Sequence, residues 1–394
     1  MKFKNIEICC PHCKGDLQER KSKIEDGGSK IEISSVSLQS SMLHPQSSEL
    51  SCRACDRRFP IVLGIPDLRV FPDLYIDAEA DRAKGVRVAS RLDDLNFAEL
   101  VDFYYSITSV VPPQHARQYK RGLMVGVARA ETALASWESA VTGNGRVHAG
   151  SVLDLGCGTA PFLVATASRF EKRVGVDIAF RWLVVAKKRL AEANLDLPLI
   201  CACAEALPFP DGLFDRVVMD SVLEHFQDQP RALAECYRVM KQTGYLYVAT
   251  PNRLSLGPDP HMGLWAGGYL PDRWIAAYVR LQGGIPPKRQ LLSARSLTRL
   301  LLEADFRSTQ VYLPNVSAAQ RSQFGKGLQG LIDLYHVARR LPVSRQILRW
   351  IGPLLHAVAQ KPLNCRPLMS TAGATRLHEI CSPKMQIIAK DTQC

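Results

Sequence analysis

Two sets of residues in this chain are spaced for chemistry. In the first, Asp154, Gly156, Cys157 and Gly158 stand in the run SVLDLGCGTAPF, and Asp177 closes GVD twenty-one residues after Gly156. Val152, Leu153 and Leu155 suit a buried parallel strand, and the two glycines let the backbone turn tightly where any Cβ would meet a ligand. A helix is expected from about Ala160, then a second strand over Val174 to Val176. Asp177 at that strand's tip can accept two hydrogen bonds from a ribose diol, so the layout implies an adenosine-bearing ligand. In the second set, Cys10 and Cys13 form one CxxC pair and Cys52 and Cys55 another, 39 residues after Cys13. Four thiolates in this spacing are the ligand set of a closed tetrahedral zinc site, structural rather than catalytic; reduced, metal-free thiols are the plain alternative. Cys9 adjoins the first pair but lacks the two-residue spacing to Cys13.

A dinucleotide site would close GxGxxG with a third small residue, but Pro161 holds that place. The acid at Asp154 would sit badly beside a pyrophosphate and well beside an ammonium, which S-adenosylmethionine (SAM) carries. From Ser151 to Asn252 the chain resembles class I SAM-dependent methyltransferases: DLGCG is the first motif, VDI with Ile178 the second, AEALPFPDGLFDRV the third, DSVLEHFQD the fourth and GYLYVATPN the fifth. The resemblance implies cofactor contacts from Asp154, Gly156, Cys157, Gly158, Asp177, Ile178, Ala204, Glu205 and Asp220. One departure stands out. Where that family commonly has an acid near the adenine, this chain has Cys203, so either Ala204 and Glu205 hold the base or affinity is lowered.

The fourth motif reads Asp220, Ser221, Val222, Leu223 and lacks the [DN]PP[YFW] turn of enzymes that methylate planar amino nitrogens. Its LEH type, with the ATPNRLSL run after the fifth motif, is similar to quinone-pathway and other small-molecule or lipid-linked methyltransferases. An oxygen acceptor is the first expectation, carbon or nitrogen the next. His225 in the LEHF turn and His261 in the following loop are the candidate bases, weighed against a merely positional role for His225 and loop packing for His261. An RNA methyltransferase is the alternative, from the cysteine pairs and positive charge, and a non-catalytic SAM-binding scaffold the second alternative, from Cys203.

These residues need a frame to position them. Alternating strands and helices imply an α/β fold with a doubly wound, mostly parallel seven-stranded sheet, Rossmann-like, carrying a small amino-terminal zinc ribbon and a helical insertion before the last strand. The expected division is a ribbon over 1–72, a helical cap over 73–146, the methyltransferase core over 147–314, a basic helical insertion over 315–383 and the last strand within 384–394. CPHCKGDL and LSCRACDRRFPIVLGIPDL resemble the zinc-ribbon module of small activator subunits of tRNA and protein methyltransferases, and ribbon and core are expected to have separate cores. Strands are expected at Leu199 to Ala202, Arg216 to Met219, Tyr245 to Ala249, Thr309 to Leu313 and Met385 to Ala389. One helical pattern covers His115 to Val141, and Tyr104 and Tyr105 are candidates to cover the cofactor, with half-buried packing as the plain alternative.

The 394 residues are 46% apolar and 22% charged, which excludes a disordered chain and suggests two or three folded units. No run approaches the roughly 18 apolar residues of a membrane span, and with no apolar leader at the start a cytoplasmic protein is expected. The formal charge of +12 favours an anionic partner. Between Arg321 and Arg366 eight Lys or Arg face one acid, Asp333, with apolar residues interleaved. That stretch could lie on an anionic membrane, through Ile347, Trp350, Ile351, Leu354 and Leu355, grip an acidic partner, or simply pack on the sheet.

Overall fold

The computed structural model describes residues 1–21, 48–109, 111–142, 150–257 and 264–363. Short strands β1 (Lys2–Phe3) and β2 (Ile6–Glu7) form a hairpin, and β3 (Leu17–Lys21), β4 (Ser48–Cys52), β5 (Arg58–Val62) and β6 (Ile65–Pro66) form an antiparallel ribbon sheet. Then come helices Ala78–Ala89, Phe97–Ser106, Pro113–Met124 and Gly126–Thr142. The single helical pattern expected over 115–141 is thus two helices. Gly126 lies at the break, where a Cβ would stand 3.1 Å from Pro161.

The main sheet has seven strands: β7 (Ser151–Leu155), β8 (Lys172–Asp177), β9 (Leu199–Cys201), β10 (Phe214–Asp220), β11 (Met240–Pro251), β12 (Arg307–Tyr312) and β13 (Leu354–Gln360). Their order is β12-β13-β11-β10-β7-β8-β9, with β13 antiparallel to both neighbours and the pairs from β11 to β9 parallel. This is the Rossmann-like methyltransferase fold. Successive strands are added to one side from β7 to β9 and to the other side from β10 onward, so a crevice opens between β7 and β10 at the carboxyl ends of these parallel strands. Helices Phe180–Glu192 and Gly126–Thr142 cover the sheet. Buried Trp137, from the latter, stacks near Phe162, Phe170 and Tyr247.

Two expectations need correction. The strand expected at Met385 to Ala389 lies outside the described residues, and the place between β12 and β11 is filled by Leu354–Gln360. Leu354 and Leu355 therefore belong to a strand, with Leu355 fully buried, and not to an exposed helix face. Pro353 lacks an amide hydrogen and Gly352 caps the preceding helix, so the helical spacing stops at Ile351. The insertion before the last strand is consequently shorter, comprising helices Ala318–Ser322, Lys326–Ala338 and Pro342–Ile351.

Nor are there separate cores. Ile8, Leu17, Leu50 and Phe59 of the ribbon share one apolar cluster with Leu207, Phe209 and Leu233 of the main domain. The chain leaving β6 pairs in parallel with the free edge of β9, where the Leu68 amide donates to the Cys201 carbonyl at 2.7 Å. An exposed sheet edge is thereby closed by the ribbon's own exit segment. No helix among the described residues is long and apolar enough to cross a membrane.

Candidate functional site

The glycine turn is shaped by contacts that only a bare backbone allows. Gly156 has φ +74° and its amide donates to the Val176 carbonyl at 2.7 Å; a Cβ there would lie 2.2 Å from Val222. Gly158 follows with φ +51° and gives its amide to Asp177 Oδ2 at 2.8 Å, while Ala179 gives its amide to Asp177 Oδ1 at 2.8 Å. Each carboxylate oxygen keeps a second lone pair, so Asp177 can still accept hydroxyl donors. Burial pushes its carboxyl above the usual range, against the pull of the Ala179 and Gly158 amides.

Asp154 sits in the middle of the sheet, opposite Val218 of β10 and Gly175 of β8, and is 2% exposed. Its Oδ2 has no hydrogen-bond partner. Burial, with the like charges of Asp220 and Asp177, holds this carboxyl well above its ordinary pKa. A buried carboxyl oxygen without a donor is costly unless a cationic ligand supplies one. Asp220, at the tip of β10, pairs with Arg129 at 3.6 Å.

A cavity of about 500 Å³ opens at these strand ends. Among the expected residues Gly156, Asp177, Ile178, Ala204, Glu205 and His225 line it. Asp154 and Cys157 are buried in the sheet layer, where the Cys157 sulfur fills the space above Gly175. His261 lies outside the described residues. His225, on the turn Leu223–His225, has its Nε2 3.9 Å from Oε1 of fully buried Glu224, whose other oxygen accepts from Thr250 at 3.0 Å. Glu205 accepts the Gln227 amide at 3.0 Å, tying two cavity walls together. Cys203 turns its sulfur toward the Phe71 carbonyl at 3.5 Å.

The cover is not where Tyr104 and Tyr105 suggested. Those rings pack on Trp182 at 4.2 and 6.2 Å, and the wall facing the glycine turn is Phe71 to Tyr75, the stretch just beyond the ribbon. Arg231 lies over the Phe71 ring at 4.9 Å, and the Tyr75 hydroxyl accepts the Lys288 amide at 2.7 Å. A buried ionic chain anchors this wall. Arg69 donates to both oxygens of Asp67 at 2.8 and 2.6 Å, to Asp81 at 2.7 Å and to the Ile178 carbonyl at 3.1 Å. Asp81 also accepts the Phe180 amide at 2.8 Å and Arg181 at 2.7 Å, capping a helix whose own Ala179 offers no side-chain cap. Burial disfavours the Asp67 carboxylate, yet Arg69 and Arg82 hold it below the usual range. None of these residues was expected at the site. The Asp-x-Arg of PDLR and the Asp of EADR were the only traces, and neither has a spacing that announces a partner.

On the ribbon, the sulfurs of Cys10, Cys13, Cys52 and Cys55 lie within 4.8 Å of one another, with Cys10 3.7 Å from Cys55 and Cys13 3.4 Å from Cys52. Tetrahedral zinc with bonds of about 2.3 Å sets sulfurs roughly 3.8 Å apart, so the set fits that ion. Each knuckle turns through a left-handed residue after its second cysteine, Lys14 at φ +61° and Asp56 at φ +54°. Burial raises the Cys52 thiol, but the Ala54 and Cys55 amides bring it down to about 7. The knuckle also touches the main domain: Lys14 donates to the Leu207 carbonyl at 3.0 Å and to Glu235 at 2.8 Å.

The fold and this crevice define a SAM-type methyltransferase domain. Residues 153–248 match the model of the methyltransferase domain, and residues 8–64 match that of Trm112p-like protein. The chain thus carries a methyltransferase domain behind a Trm112p-like module. It is similar to the ubiquinone/menaquinone biosynthesis C-methyltransferase UbiE of Bordetella avium, 35% identical over 151 residues that cover 36% of this chain and 57% of that one. It is also similar to the demethylmenaquinone methyltransferase of Thermus thermophilus, 36% identical over 99 residues, 25% of this chain and 45% of that one. The chain spans about half the length of these relatives. A solved complex containing the Haloferax volcanii Trm112 methyltransferase activator aligns with 64% of this chain and all of that one, at 16% identity and TM-score 0.41.

Proposed function

We propose that the protein is a SAM-dependent methyltransferase acting on a small or lipid-linked acceptor of the quinol type. The observation that carries this is the unpartnered, buried Asp154 Oδ2 beside a glycine turn that excludes a Cβ. When bound, SAM supplies a methyl group activated by its sulfonium. Asp154 would take the ammonium and Asp177 the ribose hydroxyls, with Ile178, Ala204 and Glu205 around the adenine and Gly156 and Gly158 giving close backbone approach. A cavity of about 500 Å³ is within the roughly 300–1,000 Å³ of ligand sites. The Phe71 to Tyr75 wall would complete the enclosure that excludes water and aligns the acceptor, while Cys157 packs behind the glycine turn and Asp220 stands at the neighbouring strand tip.

The names of the similar proteins move the acceptor atom from oxygen toward an aromatic carbon. Attack by such a carbon is helped when the adjacent phenol gives up its proton, and His225, backed by buried Glu224, is placed in the cavity wall to receive it. The four ribbon cysteines would hold one structural zinc. Incubation with methyl-labelled SAM and either a quinol with a short prenyl tail or total RNA tests the reading. Label in the quinol supports it, label in RNA alone replaces it by the RNA alternative, and tight SAM binding with no transfer to any acceptor in a cell extract leaves a scaffold.

A further inference from the structure

Helices Lys326–Ala338 and Pro342–Ile351 are amphipathic in sequence, yet neither buries a single residue. Their apolar side chains face outward: Leu334 is 62% exposed, Val337 58%, Val343 74% and Ile347 53%. The expectation that this stripe packs on the sheet is therefore not met. The charge around it is one-sided. Between Arg321 and Arg349 there are six Lys or Arg and one acid, Asp333, which is already paired with Arg321. The surface is also fixed in place. Asn252, the residue after β11, donates to the Trp350 and Gly352 carbonyls at 2.9 Å each, so the second helix ends at the carboxyl edge of the sheet.

We infer that these two helices dock the protein on an anionic lipid bilayer, with Leu334, Val337, Val343 and Ile347 entering the headgroup boundary and Arg340 and Arg345 meeting the lipid phosphates. An outward apolar face rimmed by arginine matches both layers of such a surface. A second copy of the chain would bring like charge against like charge. RNA would find mostly aliphatic side chains: the one exposed aromatic ring of the two helices, Trp350, is already faced by Arg295 at 5.5 Å, a thin supply for stacking bases. The inference goes beyond methyl transfer and does not require it, although a bilayer is where a lipid-linked acceptor would be found.

Flotation of the full chain with vesicles tests it, using phosphatidylcholine alone or mixed with phosphatidylglycerol at low salt. Binding to the mixed vesicles and not to phosphatidylcholine is expected. Arg340→Gln with Arg345→Gln should weaken it about fivefold per arginine removed. Leu334→Glu with Ile347→Glu should abolish it while melting temperature and SAM affinity stay unchanged, since both residues are exposed. That unchanged SAM affinity separates failure here from failure of the methyltransferase reading. No flotation of the wild type, flotation that both variants retain, or self-association or RNA binding removed by the same apolar substitutions would overturn the inference.

Discussion

At the β9 edge of the sheet the ribbon buries Ile8, Leu17, Leu50 and Phe59 in the main domain's own cluster, whereas near the opposite edge, between β12 and β13, three successive helices bury nothing. Arginine shows the same contrast. Arg69, 4% exposed at its side chain, is saturated by Asp67, Asp81 and a carbonyl, while Arg340 and Arg345 face solvent. The first region uses burial and paired charge to hold the cofactor crevice in shape; the second leaves both unspent for something outside the molecule. An appendage can thus be part of the catalytic body or a handle on it, and side-chain burial, more than sequence motif, tells which.

The largest effect should come from the metal cluster. Cys52→Ser with Cys55→Ser is expected to remove zinc and to cost on the order of 5 kcal/mol or more. Because the apolar cluster is shared, calorimetry should show one lowered transition for the whole chain. A ribbon that melts alone while the core stays folded would break the comparison.

Next is the ionic chain. Arg69→Met leaves the Asp67 and Asp81 carboxylates buried and underpaired, which should cost about 3 kcal/mol, read by urea unfolding. It should also loosen the Ile178 turn and weaken SAM binding; a variant as stable as the wild type would mean that the chain of charges holds nothing.

At the other edge the strand that returns from the insertion carries His356, hydrogen-bonded to the Tyr247 hydroxyl at 3.0 Å. Burial lowers its pKa from 6.5 to about 4. The unfolded chain therefore binds a proton first as pH falls, so the stability this group supports is complete above 6.5 and lost toward 4. The loss is about 3 kcal/mol at most. His356→Phe should flatten the stability profile across that window while removing the bond to Tyr247.

The smallest effect sharpens the contrast. Tyr312 pairs with His356 across β12 and β13, so a short turn can replace 318–349 while keeping the Trp350 carbonyl for Asn252. Stability should change by about 1 kcal/mol or less, as for surface changes generally, and vesicle flotation should vanish. A collapse of the fold would show that the helices do support the sheet.

What the sequence disclosed follows the same division. The glycine turn, the acid tips of β8 and β10 and the two CxxC pairs are local patterns, so the turn at Gly156, the strand ends at Asp177 and Asp220 and the grouping of the four cysteines were legible as structure. β13 was not, because LLHAVAQ is mostly apolar and follows a helical pattern, and a strand buried on both faces has no alternation to give it away. The joining of ribbon and core was equally hidden. Arg69 meets Asp81 twelve residues on and Ile178 more than a hundred residues on, and spacing cannot reveal pairs made by tertiary packing. The cover over the crevice was misassigned for the same reason: paired tyrosines draw the eye, while Phe71 to Tyr75 has no motif.

Calorimetric titration of SAM into the wild type and Asp154→Asn tests the central claim most directly. The substitution keeps the shape and touches no hydrogen bond of Oδ2, so the variant should be at least as stable as the wild type. The wild type should bind one SAM per chain, the ammonium meeting the buried Asp154 carboxyl. Asp154→Asn should bind roughly tenfold or more weakly, the worth of one charged hydrogen bond at about 1.5–3 kcal/mol. Equal affinity in the two proteins, or a wild type that prefers a dinucleotide to SAM, would contradict the account.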